Sequence, residues 1–179
     1  MNIILIGMPG AGKSTLGVLL AKALGLGFVD TDLLIQQSAG NLLQEIINQS
    51  GIDRFLQIES HILTTLQVTN SVIATGGSAV YSDDAMQHLR QNGKVIYLRV
   101  SLLEIEKRLQ NIHTRGVVKR SGENLPDLYA ERAPLYEKYS DLVVDCTGRD
   151  PEHAVQDLIK LISFRPRPSS GSQSGGSCR

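Results

Sequence analysis

Short runs of apolar residues alternate along the chain with longer segments in which apolar side chains recur every three or four positions. The runs predict strands at 3–6, 25–29, 71–75, 94–100 and 142–145. The longer segments predict helices at 16–24, 33–39, 42–49, 53–67, 83–91, 102–109, 127–138 and 152–163. Strands that alternate with helices are typical of a parallel sheet covered on both faces. The pattern therefore predicts a three-layer α/β fold with a five-stranded parallel sheet.

Proline and the polar segments set the limits of these elements. Pro134 falls inside the predicted helix at 127–138, where its missing N–H predicts a kink or a break. The polar stretch at 111–125 contains Gly116 and Gly122, a composition that favours a mobile segment over core. Residues 164–179 are rich in Gly, Ser, Pro and Arg and predict a disordered tail. We therefore expect one domain at 1–163.

The charge balance narrows the classes of partner. Lys and Arg together number 18, as do Asp and Glu, so the net charge is zero and no overall field favours nucleic acid or membrane. No apolar run approaches the length of a membrane span. Cys146 and Cys178 lie in dissimilar contexts and predict no disulfide. We expect a cytoplasmic, monomeric protein without nucleic-acid or membrane partners.

The most specific motif lies where the first strand meets the first helix. Residues 7–15 read GMPGAGKST and match the phosphate-binding pattern G-x-x-x-x-G-K-[ST] in full. Glycines let the backbone curve around a phosphate, and the first N–H groups of the helix attract an anion. Lys13 is predicted to act in catalysis at the terminal phosphates, and Ser14 to ligate Mg²⁺. The predicted ligands of ATP in this loop are Gly10, Ala11, Gly12, Lys13, Ser14 and Thr15.

Two aspartates follow the second predicted strand, at the same edge of the sheet as the phosphate loop. If the strand geometry continues, alternation places Asp30 and Asp32 on one side. One of the two carboxylates can hold the Mg²⁺ shell through water, and the other can orient an attacking hydroxyl group or accept its proton. We expect Asp30 in the first role and Asp32 in the second. The alternative is that one of them only caps the next helix, for which Asp32 is well placed.

Other polar residues are expected near the same edge. Gly76, Gly77 and Ser78 end the third predicted strand, and their small size lets a ligand lie against the backbone. Arg108, Arg115 and Arg132 are candidates for anion contacts, and Arg115 lies in the polar segment from which it can reach a transferring phosphate. For any one of these arginines, a solvated surface position is the alternative.

Together, these residues resemble the shikimate kinase family, small P-loop kinases related in fold to nucleoside monophosphate kinases. The likeness spans about residues 2–162. The matching residues are Gly7 to Thr15, Asp30-Thr31-Asp32, Phe55, Ile58-Glu59, Thr75 to Val80, Arg108, Arg115, Arg132 to Tyr136, Arg149 and Pro151.

The resemblance implies a role for each part of the site. The segment 111–125 would be a lid over ATP, and Arg108, Arg149 and Pro151 would border the adenine ring. Asp32 would contact the substrate hydroxyl groups, and Arg132 would pair with the substrate carboxylate. The predicted substrate-binding residues are Asp32, Gly76, Gly77, Ser78 and Arg132.

Three positions depart from the family pattern. Leu56 stands where the family has an arginine that helps to hold the shikimate carboxylate, Ser78 replaces the third glycine of a triplet, and the lid reads differently at 116–118. Loss of one charge-assisted hydrogen bond costs on the order of 1.5–3 kcal/mol of binding. Arg54 lies about 200° from Leu56 around a helix and is expected to point away from the site.

The leading hypothesis is a kinase that transfers the γ-phosphate of ATP to a hydroxyl group of a small molecule. By resemblance, the acceptor is shikimate and the product is shikimate 3-phosphate. Leu56 leaves open a different hydroxylated small molecule as the acceptor. A nucleotide-binding module without catalysis is the third possibility.

Overall fold

The computed structural model describes residues 1–110 and 124–163, without the side chains of Gln110 and Ser163. Arg115 and all but the last two residues of the predicted lid lie outside the described residues, as does the predicted tail at 164–179. The strands are β1 (Asn2–Ile6), β2 (Gly27–Asp30), β3 (Ser71–Ala74), β4 (Gly93–Arg99) and β5 (Leu142–Asp145). The helices are α1 (Lys13–Leu24), α2 (Thr31–Ala39), α3 (Leu43–Thr65), α4 (Asp83–Asn92), α5 (Leu102–Gln110), α6 (Leu125–Tyr139) and α7 (Pro151–Ser163).

The five strands form one sheet in the order β2-β3-β1-β4-β5, and all four neighbouring pairs are parallel. The predicted fold class is therefore confirmed. The whole of β1 is buried at the centre of the sheet, between β3 and β4. The connection after β1 leads to β2 on one side of the sheet, and the connection after β3 crosses to β4 on the other side of β1. A crevice therefore opens at the carboxyl end of β1, where ligands bind in folds of this kind. None of the helices in the described ranges is both long and apolar enough to span a membrane.

Two helices differ from their predicted course. The segments predicted as separate helices before and after Gly51 form the single element α3, with a bend at Gly51, where φ is 79° and ψ is 167°. It begins at Leu43, one position after the predicted start at residue 42.

Of the kink or break predicted at Pro134, the break is wrong, because α6 continues through this residue. The buried face of α6, which includes Leu128, Arg132, Tyr136 and Tyr139, offsets the roughly 3 kcal/mol that an interior proline costs.

Candidate active site

The phosphate-binding loop has the predicted strand–turn–helix arrangement. β1 ends at Ile6, and α1 begins at Lys13. Gly12 caps the helix in the left-handed conformation (φ 95°), which glycine adopts without strain, and contributes no side chain to the cap. The first N–H groups of α1 are therefore directed at the crevice, where they and the helix dipole favour an anion.

Lys13 is buried at the start of α1. Its Nζ donates hydrogen bonds to the carbonyl oxygens of Gly7 at 2.7 Å and Met8 at 3.0 Å. These bonds hold the ammonium group against the phosphate loop. To contact a terminal phosphate, the Lys13 ammonium group exchanges its hydrogen bonds to these two carbonyl oxygens for hydrogen bonds to phosphate oxygens.

A cavity of about 450 Å³ lies on one side of the loop. Arg108 anchors its wall, because Nη1 donates to the carbonyl oxygen of Gly10 at 3.2 Å while Nε donates to Glu104 at 3.0 Å. Arg149 lines the same cavity and pairs with Asp157 at 2.9 Å. The lining residues are Gly10, Ala11, Gly12, Thr15, Leu16, Arg108, Cys146, Arg149, Pro151 and Ala154. The structure thus brings together six of the residues predicted to bind ATP, namely Gly10, Ala11, Gly12, Thr15, Arg108 and Arg149. Lys13 and Ser14 line a second cavity, and Arg115 lies outside the described residues.

A second cavity of about 350 Å³ lies on the other side of the phosphate loop, and we call it the acceptor cavity. The predicted residues that line it are Gly10, Gly12, Lys13, Ser14, Asp30, Asp32, Gly76, Gly77, Ser78 and Arg132. Every residue predicted to bind the acceptor or the metal ion therefore faces a single space.

The two aspartates have different environments from those that strand alternation predicts. α2 begins at Thr31, directly after β2, so Asp30 and Asp32 do not share a strand. The cap is Asp30 and not Asp32, because Oδ1 of Asp30 accepts a hydrogen bond from the Asp32 N–H at 3.0 Å. Asp32 lies in the first turn of α2, and its carboxylate faces the acceptor cavity without a capping role.

Arg132 is buried, so the surface alternative is wrong for this residue. Its side chain is 1% exposed. Nε donates a hydrogen bond to the Tyr81 hydroxyl group at 2.9 Å, and the guanidinium group lies over the Tyr81 ring at 4.9 Å. A Cβ atom placed on Gly77 would lie 3.2 Å from Nη1 of Arg132 and 2.8 Å from Pro9. Gly77 therefore lets the arginine and the phosphate loop approach each other.

Thr31 and Tyr136 hold the loop at 76–78, and the sequence analysis gave neither a role. Thr31 is fully buried, and its hydroxyl group accepts a hydrogen bond from the Gly76 N–H at 3.2 Å. Tyr136 donates from its hydroxyl group to the carbonyl oxygen of Gly77 at 2.6 Å. The signal for Tyr136 is its spacing of four residues from Arg132, which places both on one face of a helix.

Glu59 is a further buried carboxyl group beside the site, with 2% of its side chain exposed. Burial raises its pKa from an ordinary value of 4.5 to about 7. A hydrogen bond from Ser78 opposes this rise, the charge of Asp32 adds to it, and the charges of Arg132 and Lys13 oppose it.

Leu56 does not line the acceptor cavity. It lines a third cavity of about 450 Å³ behind the loop at 76–78, together with Glu59, Ser78 and Tyr81. Arg54 is exposed and donates a hydrogen bond to Gln57 at 3.2 Å, so it points away from the site as predicted. Arg54 therefore does not replace the missing family cation.

The oxygen donors of the acceptor cavity suit Mg²⁺. Mg²⁺ is usually bound through one or two protein oxygens together with substrate phosphates and water. Ser14 supplies a hydroxyl oxygen and Asp30 a carboxylate to the lining of this cavity. Within residues 1–110 and 124–163, no group of three or more His, Cys, Asp or Glu forms a separate metal cluster.

A parallel five-stranded sheet, a phosphate loop between β1 and α1, and cavities on both sides of that loop define a small P-loop kinase. The sequence profile of the family described as shikimate kinase matches residues 9–163. The chain belongs to the shikimate kinase family.

Individual relatives agree with this assignment. Shikimate kinase 2 of Yersinia enterocolitica is 39% identical over 169 residues, which cover 90% of this chain and 95% of the relative. The shikimate kinase of Pseudomonas aeruginosa is also 39% identical over 169 residues, with coverages of 93% and 98%. Among solved structures, the shikimate kinase of Acinetobacter baumannii in complex with shikimate superposes with a TM-score of 0.82 at 30% identity, covering 90% of this chain and 92% of that one.

Proposed function

We propose that this chain transfers the γ-phosphate of ATP to a hydroxyl group of shikimate, giving ADP and shikimate 3-phosphate. The observation that carries the proposal is the acceptor cavity, which places Asp32 and Arg132 in the same space as Lys13 of the phosphate loop. The relatives named as shikimate kinases, and the similar structure that contains shikimate, support this choice of substrate.

The chemical step uses residues on both sides of the phosphate loop. Asp32 accepts the proton of the acceptor hydroxyl group while the hydroxyl oxygen forms a bond to the γ-phosphorus. The bond between the γ-phosphorus and the β–γ bridging oxygen breaks at the same time, and ADP leaves. Lys13 balances charge on the phosphates, and Arg115 is proposed to do so from the lid. Arg132 pairs with the acceptor carboxylate and holds the hydroxyl group in line for attack.

The nucleotide occupies the opposite cavity in this proposal. The N–H groups from Gly10 to Thr15 bind its phosphates, and Arg108 and Arg149 border the base. Ser14 and Asp30 would hold Mg²⁺, which neutralises phosphate charge when it is bound. We further propose that the enzyme acts in the cytoplasm as a monomer.

Leu56 favours a second candidate, in which the acceptor is another hydroxylated small molecule. No cation from position 56 supplements Arg132 in binding a carboxylate. The two candidates differ in the efficiency of shikimate relative to other hydroxy acids and to hydroxylated compounds without a carboxylate.

The test measures ADP formation by the purified protein with Mg²⁺ and ATP across such a panel. We expect shikimate to give the highest kcat/KM, with a product that mass spectrometry identifies as a monophosphate ester. Asp32→Asn is expected to lower kcat by 10²-fold or more while leaving ATP binding intact. A higher kcat/KM for another acceptor contradicts the choice of shikimate, and ATP binding without ADP formation over the whole panel indicates a non-catalytic module.

A further inference from the structure

The carboxyl groups of Glu59 and Asp32 meet across Gly76. A Cβ atom placed on Gly76 would lie 2.2 Å from Oε1 of Glu59 and 2.9 Å from Oδ1 of Asp32. Both distances are measured from the same point, so the two oxygens are no more than 5.1 Å apart. Two carboxylates this close disfavour simultaneous ionisation, most strongly for the one that is less solvated. Glu59 is the less solvated of the two, since Asp32 lines the acceptor cavity.

The surroundings of Glu59 favour its neutral form. Oε1 is buried and has no hydrogen-bond partner among the residues that the structure describes. The groups that face the carboxyl group are Lys13 of α1, Asp32 of α2, Ser78 after β3 and Arg132 of α6. Leu56 lies one turn before Glu59 on α3 and brings no charge. His61 of the same helix and Tyr81, which follows β3, line the adjoining cavity. Burial outweighs the two cations and raises the pKa of Glu59 to about 7.

The proton on Glu59 therefore decides the charge of the acceptor site. Lys13 and Arg132 bring positive charge to the acceptor cavity, and Asp30, Asp32 and Glu45 bring negative charge, so ionised Glu59 adds a further negative charge beside it. With Glu59 neutral, the surroundings of the cavity are one unit of charge less negative. An anionic acceptor binds better to the second arrangement, because the attraction is strong where water is excluded.

We propose that Glu59 is a specificity-determining residue, which in its neutral form makes the acceptor site one unit of charge less negative and thereby favours a carboxylate-bearing acceptor. When Glu59 loses its proton, this acceptor binds more weakly. The inference rests on the proposed function for the identity of the acceptor. It assigns Glu59 a role through charge and not through contact with the reacting atoms.

Proton uptake on binding tests the proposal directly. Shikimate is titrated into the nucleotide-free protein at pH 7.5 in buffers of different ionisation enthalpy, and the heats give the number of protons exchanged. We expect wild-type protein to take up on the order of half a proton, because the bound carboxylate favours neutral Glu59. The dissociation constant should rise severalfold between pH 6 and pH 9.

Two controls isolate Glu59 and the carboxylate of the acceptor. Glu59→Gln keeps the shape and fixes a neutral side chain, so shikimate should bind without proton uptake and with little change between pH 6 and pH 9. The methyl ester of shikimate lacks the negative charge and should cause no uptake in wild-type protein. The proposal is overturned if wild-type protein takes up as many protons on binding the ester as on binding shikimate, a result that does not depend on whether the variant folds. It is also overturned if Glu59→Gln takes up as many protons as wild-type protein.

Failure of the proposed function gives a different result. If shikimate does not bind at any pH, the choice of acceptor is wrong, and carbon-13 NMR titration of the glutamate carboxyl groups then decides the state of Glu59. A signal that is lost in Glu59→Gln and titrates near pH 7 supports the charge assignment. Titration of that signal near pH 4.5 overturns it.

Discussion

Arg132 is fixed by Tyr81 through two contacts, a hydrogen bond of 2.9 Å from Nε to the hydroxyl group and a guanidinium group that lies over the ring at 4.9 Å. Tyr81 belongs to a short 3₁₀ helix, Ala79–Tyr81, that directly follows the loop at 76–78. The loop and the arginine therefore form one wall of the acceptor cavity. Because Arg132 carries the proposed carboxylate contact, its orientation should control acceptor affinity.

Tyr81→Phe removes the hydrogen bond and keeps the ring. We expect the KM for shikimate to rise about fivefold, since a net hydrogen bond contributes roughly 1 kcal/mol, while the KM for ATP stays constant. Tyr129→Phe is the matched control, because Tyr129 lies on the same helix and its hydroxyl group donates to the Val100 carbonyl oxygen at 3.1 Å. Steady-state kinetics check both variants, and equal effects on the two substrates in Tyr81→Phe would contradict an orienting role.

Thr31 positions the loop at 76–78 through the hydrogen bond that its hydroxyl oxygen accepts from the Gly76 N–H. Thr31→Val removes the oxygen that accepts the Gly76 N–H and leaves a buried donor without its partner. We expect the free energy of unfolding to fall by roughly 1–3 kcal/mol and acceptor affinity to fall with it. Thr31→Ser keeps the oxygen and should retain most of both. Urea denaturation with a shikimate titration provides the measurement, and equal stability of the Val and Ser variants would rule out the bond as the cause.

Leu56→Arg returns a cation to the position where the family has one. Position 56 lines the same cavity as Glu59, so the new guanidinium group should reach that carboxyl group and lower its pKa. We expect the KM for shikimate to fall by roughly tenfold, in line with one charge-assisted hydrogen bond. Proton uptake on binding should be lost. Leu56→Met, which keeps the apolar surface, is the control, and an unchanged KM in Leu56→Arg would show that this position does not limit carboxylate binding.

Glu59 should make stability depend on pH. Its pKa is 4.5 when solvated and about 7 in the fold, so between these values the unfolded chain releases the proton and the folded chain retains it. Stability from this group is complete below pH 4.5 and is lost as the pH rises to 7 and above. The loss is on the order of 3 kcal/mol relative to Glu59→Gln. Urea denaturation of both proteins from pH 4.5 to pH 8 measures it, and parallel stability curves would contradict a neutral Glu59.

The parts of the molecule that sequence reasoning predicts are those set by local pattern. The phosphate loop follows from residue types at fixed spacing, since only glycine adopts φ near 95° at position 12 without strain. The buried strands follow from continuous apolar runs such as β1. Both signals lie within a few neighbouring residues, and the structure confirms both.

The remaining features depend on contacts between distant segments. Burial raises the pKa of Glu59 and the charge of Asp32 adds to the rise, while Ser78, Arg132 and Lys13 oppose it. All four of these residues lie outside the helix that carries Glu59. Strand alternation misplaced Asp32 because α2 begins at Thr31, two residues before the predicted start of the helix at residue 33. The orientation of the Arg132 side chain could not be predicted from local pattern, since its partner Tyr81 lies 51 positions away in the sequence.

Shikimate-dependent phosphoryl transfer tests the central claim most directly. Purified protein with Mg²⁺, ATP and shikimate should form ADP and shikimate 3-phosphate in equal amounts, followed by phosphorus-31 NMR. Lys13→Ala should lower kcat/KM by 10²-fold or more, because the ammonium group no longer stabilises charge on the phosphates. Absence of the ester in a protein that binds ATP, or undiminished transfer by Lys13→Ala, would contradict the account.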